Sequence, residues 1–517
     1  MKDIKTNRSF PLILLVACAL IGIFIFRDYG FTWDEPLFYK YGDALGYAYN
    51  PTNWFSGHFD LNNSYGPSAS DHKNRGPAYL LLAREPVYLI ESFHVNTDDA
   101  WHLVNFLTFL LGVYFIYKIC ERLMKPWAAL AASALFAFQP LLWGHAFINP
   151  KDPPFLVFLS GSVYLGFHMV DQLTESKSQP PLKTFLQILL PALILGIATS
   201  IRVLGPMAGL FVVVYFLMRH PTRQSFLWMA LYAALSIVVM LATWPYLWES
   251  PLRFVQVFQF MSDNPTGLQV LFANQIFRAY DLPLRYLPFY LFFTLTEPVW
   301  PLFTIGFIAA VIKLKKDFPK LIQAALIFAW FVIPFGYDIL REPPDFDGMR
   351  HFLFMIPPLF IFTGFAFELI FEKINRTWIN AALALVLLAP GIVSIIQLHP
   401  YEYTYYNSFI GGTGGVFRHY ETDYWLTCYK QAVQEFDRLE TEPVNLYVHR
   451  EPEVAAPYAT SNVTVLDERG ALNQIKPSDF VLVDTRSNED QHDFHGDPIV
   501  LSVGRAGATF CVIKKVP

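Results

Sequence analysis

The chain has 517 residues, 54% of them hydrophobic and only 16% charged, with 49 Phe and 12 Trp, whereas a soluble protein carries about 25% charged residues. A net charge of −5 without any basic tract interleaved with aromatics gives no footing for nucleic-acid binding. The charge deficit collects in long apolar runs, so the class is a polytopic membrane protein, and four scattered cysteines without C-x-x-C spacing exclude a zinc motif of that type.

Lys2, Lys5 and Arg8 precede an apolar run from Phe10 to Phe26 that ends in Arg27-Asp28-Tyr29 with no small-residue cleavage pattern. This reads as an uncleaved first span rather than a signal peptide. Just past its outer end stands Thr32-Trp33-Asp34-Glu35-Pro36. Ionised groups at membrane-facing positions are tolerated mainly where they line a site, which makes Asp34, with Glu35 second, a candidate reaction centre. The plainer alternative is an Asp34 cap on an interfacial helix that starts at Pro36. Ala78 to Ile90 is apolar but is interrupted by Arg84-Glu85-Pro86 and is too short to cross, so it reads as interfacial or re-entrant.

Further runs near the roughly 20 apolar residues of a transmembrane helix fall at 101–119, 127–147, 154–170, 184–201, 203–218, 226–244, 296–312, 321–337, 352–371 and 378–396. With the first run they make about 11 transmembrane helices. Three connections carry unusual polar groups: Asn149-Pro150-Lys151-Asp152-Pro153-Pro154 after the third span, Ser200-Ile201-Arg202-Val203 between the fifth and sixth, and Gly348-Met349-Arg350-His351-Phe352 before the tenth. Leu252 to Met261 sets Arg253, Gln256 and Gln259 on one polar stripe, the pattern of an interfacial helix. The basic residues of the remaining short loops, namely Lys118, Arg122, Lys125, Lys177, Lys183, Arg219, Arg223, Lys313, Lys315, Lys316, Lys320, Lys373 and Arg376, all fall on one side. The positive-inside rule makes that side the cytoplasm. The expected organisation is a transmembrane part, residues 1–396, with a cytoplasmic amino terminus in the plasma membrane, and an extracytoplasmic tail, residues 397–517.

In the tail, Tyr401, Tyr403, Tyr405 and Tyr406 suit the headgroup zone. Gly411-Gly412-Thr413-Gly414-Gly415 reads as a flexible connector, since no strand precedes it and no Gly-Lys-Ser/Thr follows. A helix from Trp425 to Leu439 and strand-like runs at 444–448, 463–466, 480–484, 499–503 and 509–513 predict a small α/β domain. Cys428 and Cys511 read as two unpaired thiols, a disulfide being open to them if the tail is extracytoplasmic.

Short cytoplasmic loops leave no room for a nucleotide-sugar domain, so the chemistry belongs to the outer face, where a polyprenyl phosphate is the natural group carrier. Transfer of a sugar from such a lipid needs a carboxylate to take the acceptor proton, for which Asp34 is the first choice. It also needs fixed cations for the departing phosphate, which Arg202 and Arg350, with Lys151 and His351 beside them, would supply. Taken singly, an Arg at a span end more often snorkels to headgroups than binds a substrate, and His145 and His168 read as ordinary interface or packing residues.

An acidic pair after the first span (Asp34, Glu35), an Asp before prolines after the third (Asp152), a basic residue in the turn after the fifth (Arg202), and an Arg ahead of an apolar run with prolines (Arg350, Pro357, Pro358) resemble the GT-C superfamily of membrane glycosyltransferases. The likeness is to the branch of protein O-mannosyltransferases and aminoarabinose transferases, glycosyltransferase family 39-like. The resemblance implies an α-helical GT-C-like fold and inverting transfer from a polyprenyl-phosphate sugar to a hydroxyl of a glycan, lipid or protein. It implies Asp34 as base, Asp152 positioning acceptor or donor or holding a metal, and Arg202 and Arg350 on the phosphate; Lys151 and His351 stand beside these as candidate substrate-binding residues, and a divalent metal, if one is used, would fall to Asp34 and Asp152. The chain departs from the pattern in lacking a β-trefoil, in carrying Arg202 where aminoarabinose transferases tend to have Lys, and in lacking a Trp-Trp-Asp signature. The competing reading, a transporter or lipid flippase, predicts ionisable residues at span midpoints and two related halves, and neither is visible.

Overall fold

The computed structural model describes residues 9–175, 180–263 and 266–517; Lys2, Lys5, Arg8 and Lys177 of the topology argument lie outside the described residues. Every expected span is helical: Ser9–Ile25, Thr97–Leu123, the pair Pro126–Ala137 and Pro140–Ile148, Asp152–Glu175, Pro181–Ile201, Pro206–Met218, Arg223–Thr243, Val299–Leu314, Phe318–Arg341, Pro357–Ile374 and Thr377–Leu398. Among the described residues, six of these are long and apolar enough to cross a membrane alone, and three others are shorter apolar helices. The ends that carry basic residues meet, with Lys125 Nζ 2.6 Å from Glu372 and Lys313 Nζ 2.5 Å from Glu368, as a shared face requires.

The third span is not continuous. Its two halves are bent by 63°, because Pro140 has no N–H to donate and forces Gln139 before it into an extended conformation. Gln139 repairs the break: its amide donates to Leu135 O at 3.0 Å and Thr296 Oγ1 at 2.9 Å, and its carbonyl accepts from Thr296 N at 3.1 Å. The second half, from Pro140, runs beneath the tail, where Gly144 lets the backbone of Tyr403 approach so closely that a Cβ would lie 2.4 Å from its nitrogen.

The helices Ala78–Glu91 and Arg253–Asp263 are present where interfacial segments are expected. A hairpin of β1 (Gln269–Phe272) and β2 (Gln275–Arg278) was not foreseen. It turns through Ala273 and Asn274, both at positive φ, and lacks the Asn-Gly or Asp-Gly signal that makes such turns legible.

In the tail, β3 (Val444–Val448), β4 (Val463–Asp467), β5 (Phe480–Asp484), β6 (Ile499–Arg505) and β7 (Ala508–Lys515) form one sheet in the order β4-β3-β5-β7-β6. β3 runs parallel to β4 and β5, while β7 is antiparallel to β5 and β6. Helix Cys428–Leu439 buries Tyr429, Ala432, Val433 and Phe436 against this sheet. Three expectations are corrected here. Cys428 and Cys511 are disulfide-bonded, because the first helix residue sits over β7 with a Cα separation of 6.2 Å. The glycine run is not a loose connector: Gly412–Val416 is a short helix, and a Cβ on Gly414 would lie 2.5 Å from Ala506 O. The four tyrosines lie not among headgroups but buried between tail and spans, where Tyr406 donates to Glu421 O at 2.7 Å and Tyr401 to Gln431 Oε1 at 2.9 Å.

A candidate active-site cleft

Asp34 stands at the N-cap of helix Glu35–Ala44, but its side chain makes no capping hydrogen bond. It accepts instead from Arg350 Nη1 at 2.9 Å, across 316 residues of sequence. The same nitrogen lies 3.1 Å from Asp347 Oδ2, and Asp347 Oδ1 lies 2.9 Å from Nη2 of Arg486, a residue of the tail just beyond β5. Arg486 also rests 4.5 Å above the ring of Trp33. Arg350, Asp347 and Arg486 are at most 9% exposed, whereas Asp34 is 33% exposed. A buried ion chain thus orients one carboxylate that remains open to a substrate.

The Asn-Pro-Lys-Asp-Pro-Pro segment folds around its own asparagine. Asn149 Oδ1 accepts from Lys151 N at 3.1 Å and Asp152 N at 2.9 Å, and Asn149 Nδ2 donates to Asp152 Oδ2 at 2.9 Å. The prolines that follow fit a first helical turn, where no N–H partner is needed. Asp152 then pairs through its other oxygen with Arg202 Nη2. Arg202 ends helix Pro181–Ile201 in an extended conformation, which turns it back over that segment.

Asp34, Lys151, Asp152, Arg202, Arg350 and His351 all line one void of about 20 Å³. The sequence reading missed a further member, Arg75. Gly76, next to it, lies so close to the fifth span that a Cβ would fall 1.5 Å from Ser200 O, so only glycine lets that loop bring Arg75 beside Arg202. The signal present in the sequence was a lone Arg before Gly-Pro ahead of an apolar helix, with nothing to name its partner. Burial, then the charges of Arg75 and Arg202, push the Lys151 amine well below its usual pKa. Burial, then Arg350, does the same to His351, which accepts a hydrogen bond from Arg350 Nε at 3.0 Å and is a neutral group here. His145 is buried and sits 2.9 Å from the Tyr424 hydroxyl, a packing position.

Glu35 does not line the void. It is fully buried, accepts from Thr32 N at 2.7 Å and Tyr39 Oη at 2.5 Å, and lies 3.1 Å from His102 Nε2. Those contacts fix the turn that presents Asp34. Asp34 and Asp152, the two carboxylates to which a divalent metal would fall, are each engaged by a guanidinium, Arg350 and Arg202 respectively.

Through Arg75, Lys151, Arg202 and His351 the void opens into a groove of about 310 Å³ whose walls include Met207, Trp244, Phe258, Ile333, Phe346 and Phe354. The groove is mostly apolar, with Asp338, Asp345 and Tyr337 also in its wall, and Arg75, Lys151 and Arg202 lie where it shares its lining with the void.

Residues 87–248 match the family model of dolichyl-phosphate-mannose-protein mannosyltransferase. No curated protein sequence matches. Among solved structures, the archaeal oligosaccharyltransferase AglB from Archaeoglobus fulgidus is similar at 10% identity and a TM-score of 0.50, over 85% of this chain and 62% of that one. ArnT from Cupriavidus metallidurans is similar at 14% identity and a TM-score of 0.49, over 97% of each chain. The arabinofuranosyltransferase AftD from Mycobacteria is similar at 14% identity and a TM-score of 0.43, over 99% of this chain and 40% of that one. Residues 87–248 are thus similar to the protein mannosyltransferases, and the fold of the chain is similar to that of the oligosaccharyltransferase AglB.

Proposed function

We propose that the protein transfers a sugar from a polyprenyl-phosphate donor to an acceptor hydroxyl of a glycan, lipid or protein on the extracytoplasmic face, with inversion and with Asp34 as general base. The observation that carries this reading is the apolar groove that ends on Arg75, Lys151 and Arg202, with Asp34 across the same void. The isoprenoid chain lies in the groove, and its phosphate meets the three basic groups. A phosphate is a weak base, so its departure needs charge neutralisation rather than a proton, which fixed cations in a dry site supply. Asp34 takes the hydroxyl proton as the acceptor oxygen attacks the anomeric carbon from the face opposite the phosphate. Arg350 holds the carboxylate for that approach, and Asp152 holds Arg202 at the phosphate.

The AglB structure that shares this fold holds a dolichol-phosphate, which supports a lipid-phosphate donor. The disulfide suits an oxidising compartment, and the basic loops lie at the opposite helix ends, which supports an extracytoplasmic cleft and tail. The test is mass spectrometry of lipid-linked sugars and envelope glycans in a strain lacking the protein. One polyprenyl-phosphate sugar is expected to accumulate while one glycan modification disappears. Unchanged profiles in both fractions overturn the reading.

A further inference from the structure

In the tail, the carboxyl ends of the parallel strands bring three ligand-bearing side chains together. His449 follows β3, Glu468 follows β4, and Asp493 ends the short helix Glu489–His492 that comes after β5. This edge of a parallel sheet is where loops are free to build a binding site. His449 Nδ1 lies 2.9 Å from Glu468 Oε2 and 2.6 Å from Asp493 Oδ2, and all three ligand atoms fall within 4.8 Å of one another.

The hydrogen bonding leaves this arrangement incomplete. An imidazole Nδ1 carries one proton at most, and this one lies within hydrogen-bond distance of Glu468 Oε2. Asp493 Oδ2 is buried, crowds the same nitrogen and has no hydrogen-bond donor. Asp484, fully buried at the end of β5, also has an Oδ2 without a hydrogen-bond donor. The nearby cation, Arg450, is spent on the rim: Nη2 pairs with Glu489 at 2.9 Å, and Nε stands 3.7 Å from Asp484 Oδ2. Three ligand atoms from three separate segments thus converge, one of them a carboxylate oxygen that accepts no hydrogen bond, an arrangement that a divalent cation completes.

We propose that His449, Glu468 and Asp493 form a zinc site that ties β3, β4 and the segment after β5 together. One imidazole nitrogen and two carboxylate oxygens, with water in the fourth position, make a tetrahedral set of the zinc kind, and an imidazole ligand selects against magnesium and calcium. Ligand distances of about 2.0–2.2 Å in a tetrahedron put the ligand atoms about 3.4 Å apart, so the imidazole nitrogen must draw back from Glu468 Oε2 and Asp493 Oδ2, now at 2.9 and 2.6 Å, to admit the ion. The site is independent of the transfer chemistry, so it stands or falls without a sugar assay.

The test uses the full chain in detergent, with any purification tag removed, dialysed against zinc chloride and assayed for bound metal and by titration calorimetry. One zinc per chain is expected, bound at least tenfold more weakly in His449→Ala and in Glu468→Gln, and unchanged in His58→Ala, which removes an exposed imidazole elsewhere. Asp493→Asn replaces either variant that fails to elute as wild type. Magnesium in place of zinc should give no comparable heat. No zinc on the wild type, or equal zinc on the ligand variants, overturns the proposal.

Discussion

Replacing Arg202 by Ala separates the two tasks assigned to that guanidinium. Its side chain is 18% exposed and its partner Asp152 only 6%. As a phosphate ligand it contributes a charge-assisted hydrogen bond, about 1.5–3 kcal/mol, so its loss should weaken undecaprenyl phosphate binding by about 10-fold to 150-fold. As the partner of Asp152 it also matters for folding, because removing one member of a buried pair costs about 3–5 kcal/mol. The low end of that range applies, since Asn149 Nδ2 still donates to Asp152 at 2.9 Å. The double variant Arg202→Ala/Asp152→Asn removes the stranded charge, so it should regain thermal stability without regaining lipid affinity. Both quantities are measurable on nanodisc-embedded protein, by thermal unfolding and by native mass spectrometry with added undecaprenyl phosphate. Wild-type affinity in the single variant, or affinity that returns with stability in the double, refutes a direct phosphate contact.

Three other outcomes follow from the same geometry. Glu35→Gln should lower stability by about 1–3 kcal/mol, the cost of disturbing a buried hydrogen-bonded group, while turnover per folded molecule stays within a factor of about 3; a large loss of turnover at full stability would move Glu35 into the chemistry. Gly76→Ala sets a Cβ 1.5 Å from Ser200 O and should destabilise by about 1–3 kcal/mol or more, with weaker lipid binding because Arg75 is driven from Arg202. The lowered Lys151 pKa makes lipid-phosphate binding pH-dependent: the amine is neutral above that pKa, a bound phosphate raises it again, and binding takes up a proton. Affinity should therefore fall as pH rises above about 7, where a phosphate monoester is already dianionic, and Lys151→Arg should flatten the slope; a slope unchanged by that substitution would clear Lys151 of the role.

The parts of this molecule that were legible in the sequence are those with a strong local signal. Apolar runs gave the spans, alternating runs gave the tail strands, and Asp34, Lys151, Asp152, Arg202, Arg350 and His351 stood out as ionisable groups in otherwise apolar connections. What was not legible depends on pairings between distant segments. Asp34 could be an N-cap or a base until Arg350 was seen to hold it, and the Asp347 and Arg486 behind Arg350 carry no motif at all. Arg75 reaches the cleft only through the approach of Gly76 to Ser200, a property of two backbones. Glu35 shares every sequence feature of Asp34, yet one step along a helix turns it into the protein, toward His102. The tyrosine stretch has the composition of a headgroup belt and is instead a dry joint, because a sheet domain folds down over it.

The measurement closest to the central claim is turnover of a radiolabelled polyprenyl-phosphate sugar by wild type and by Asp34→Asn, which keeps the side chain's size and its contact with Arg350 but removes the base. If Asp34 takes the acceptor proton, turnover falls by about two to four orders of magnitude, the usual share of general-base catalysis, while binding of the donor lipid is retained. Turnover by Asp34→Asn equal to that of wild type contradicts the account.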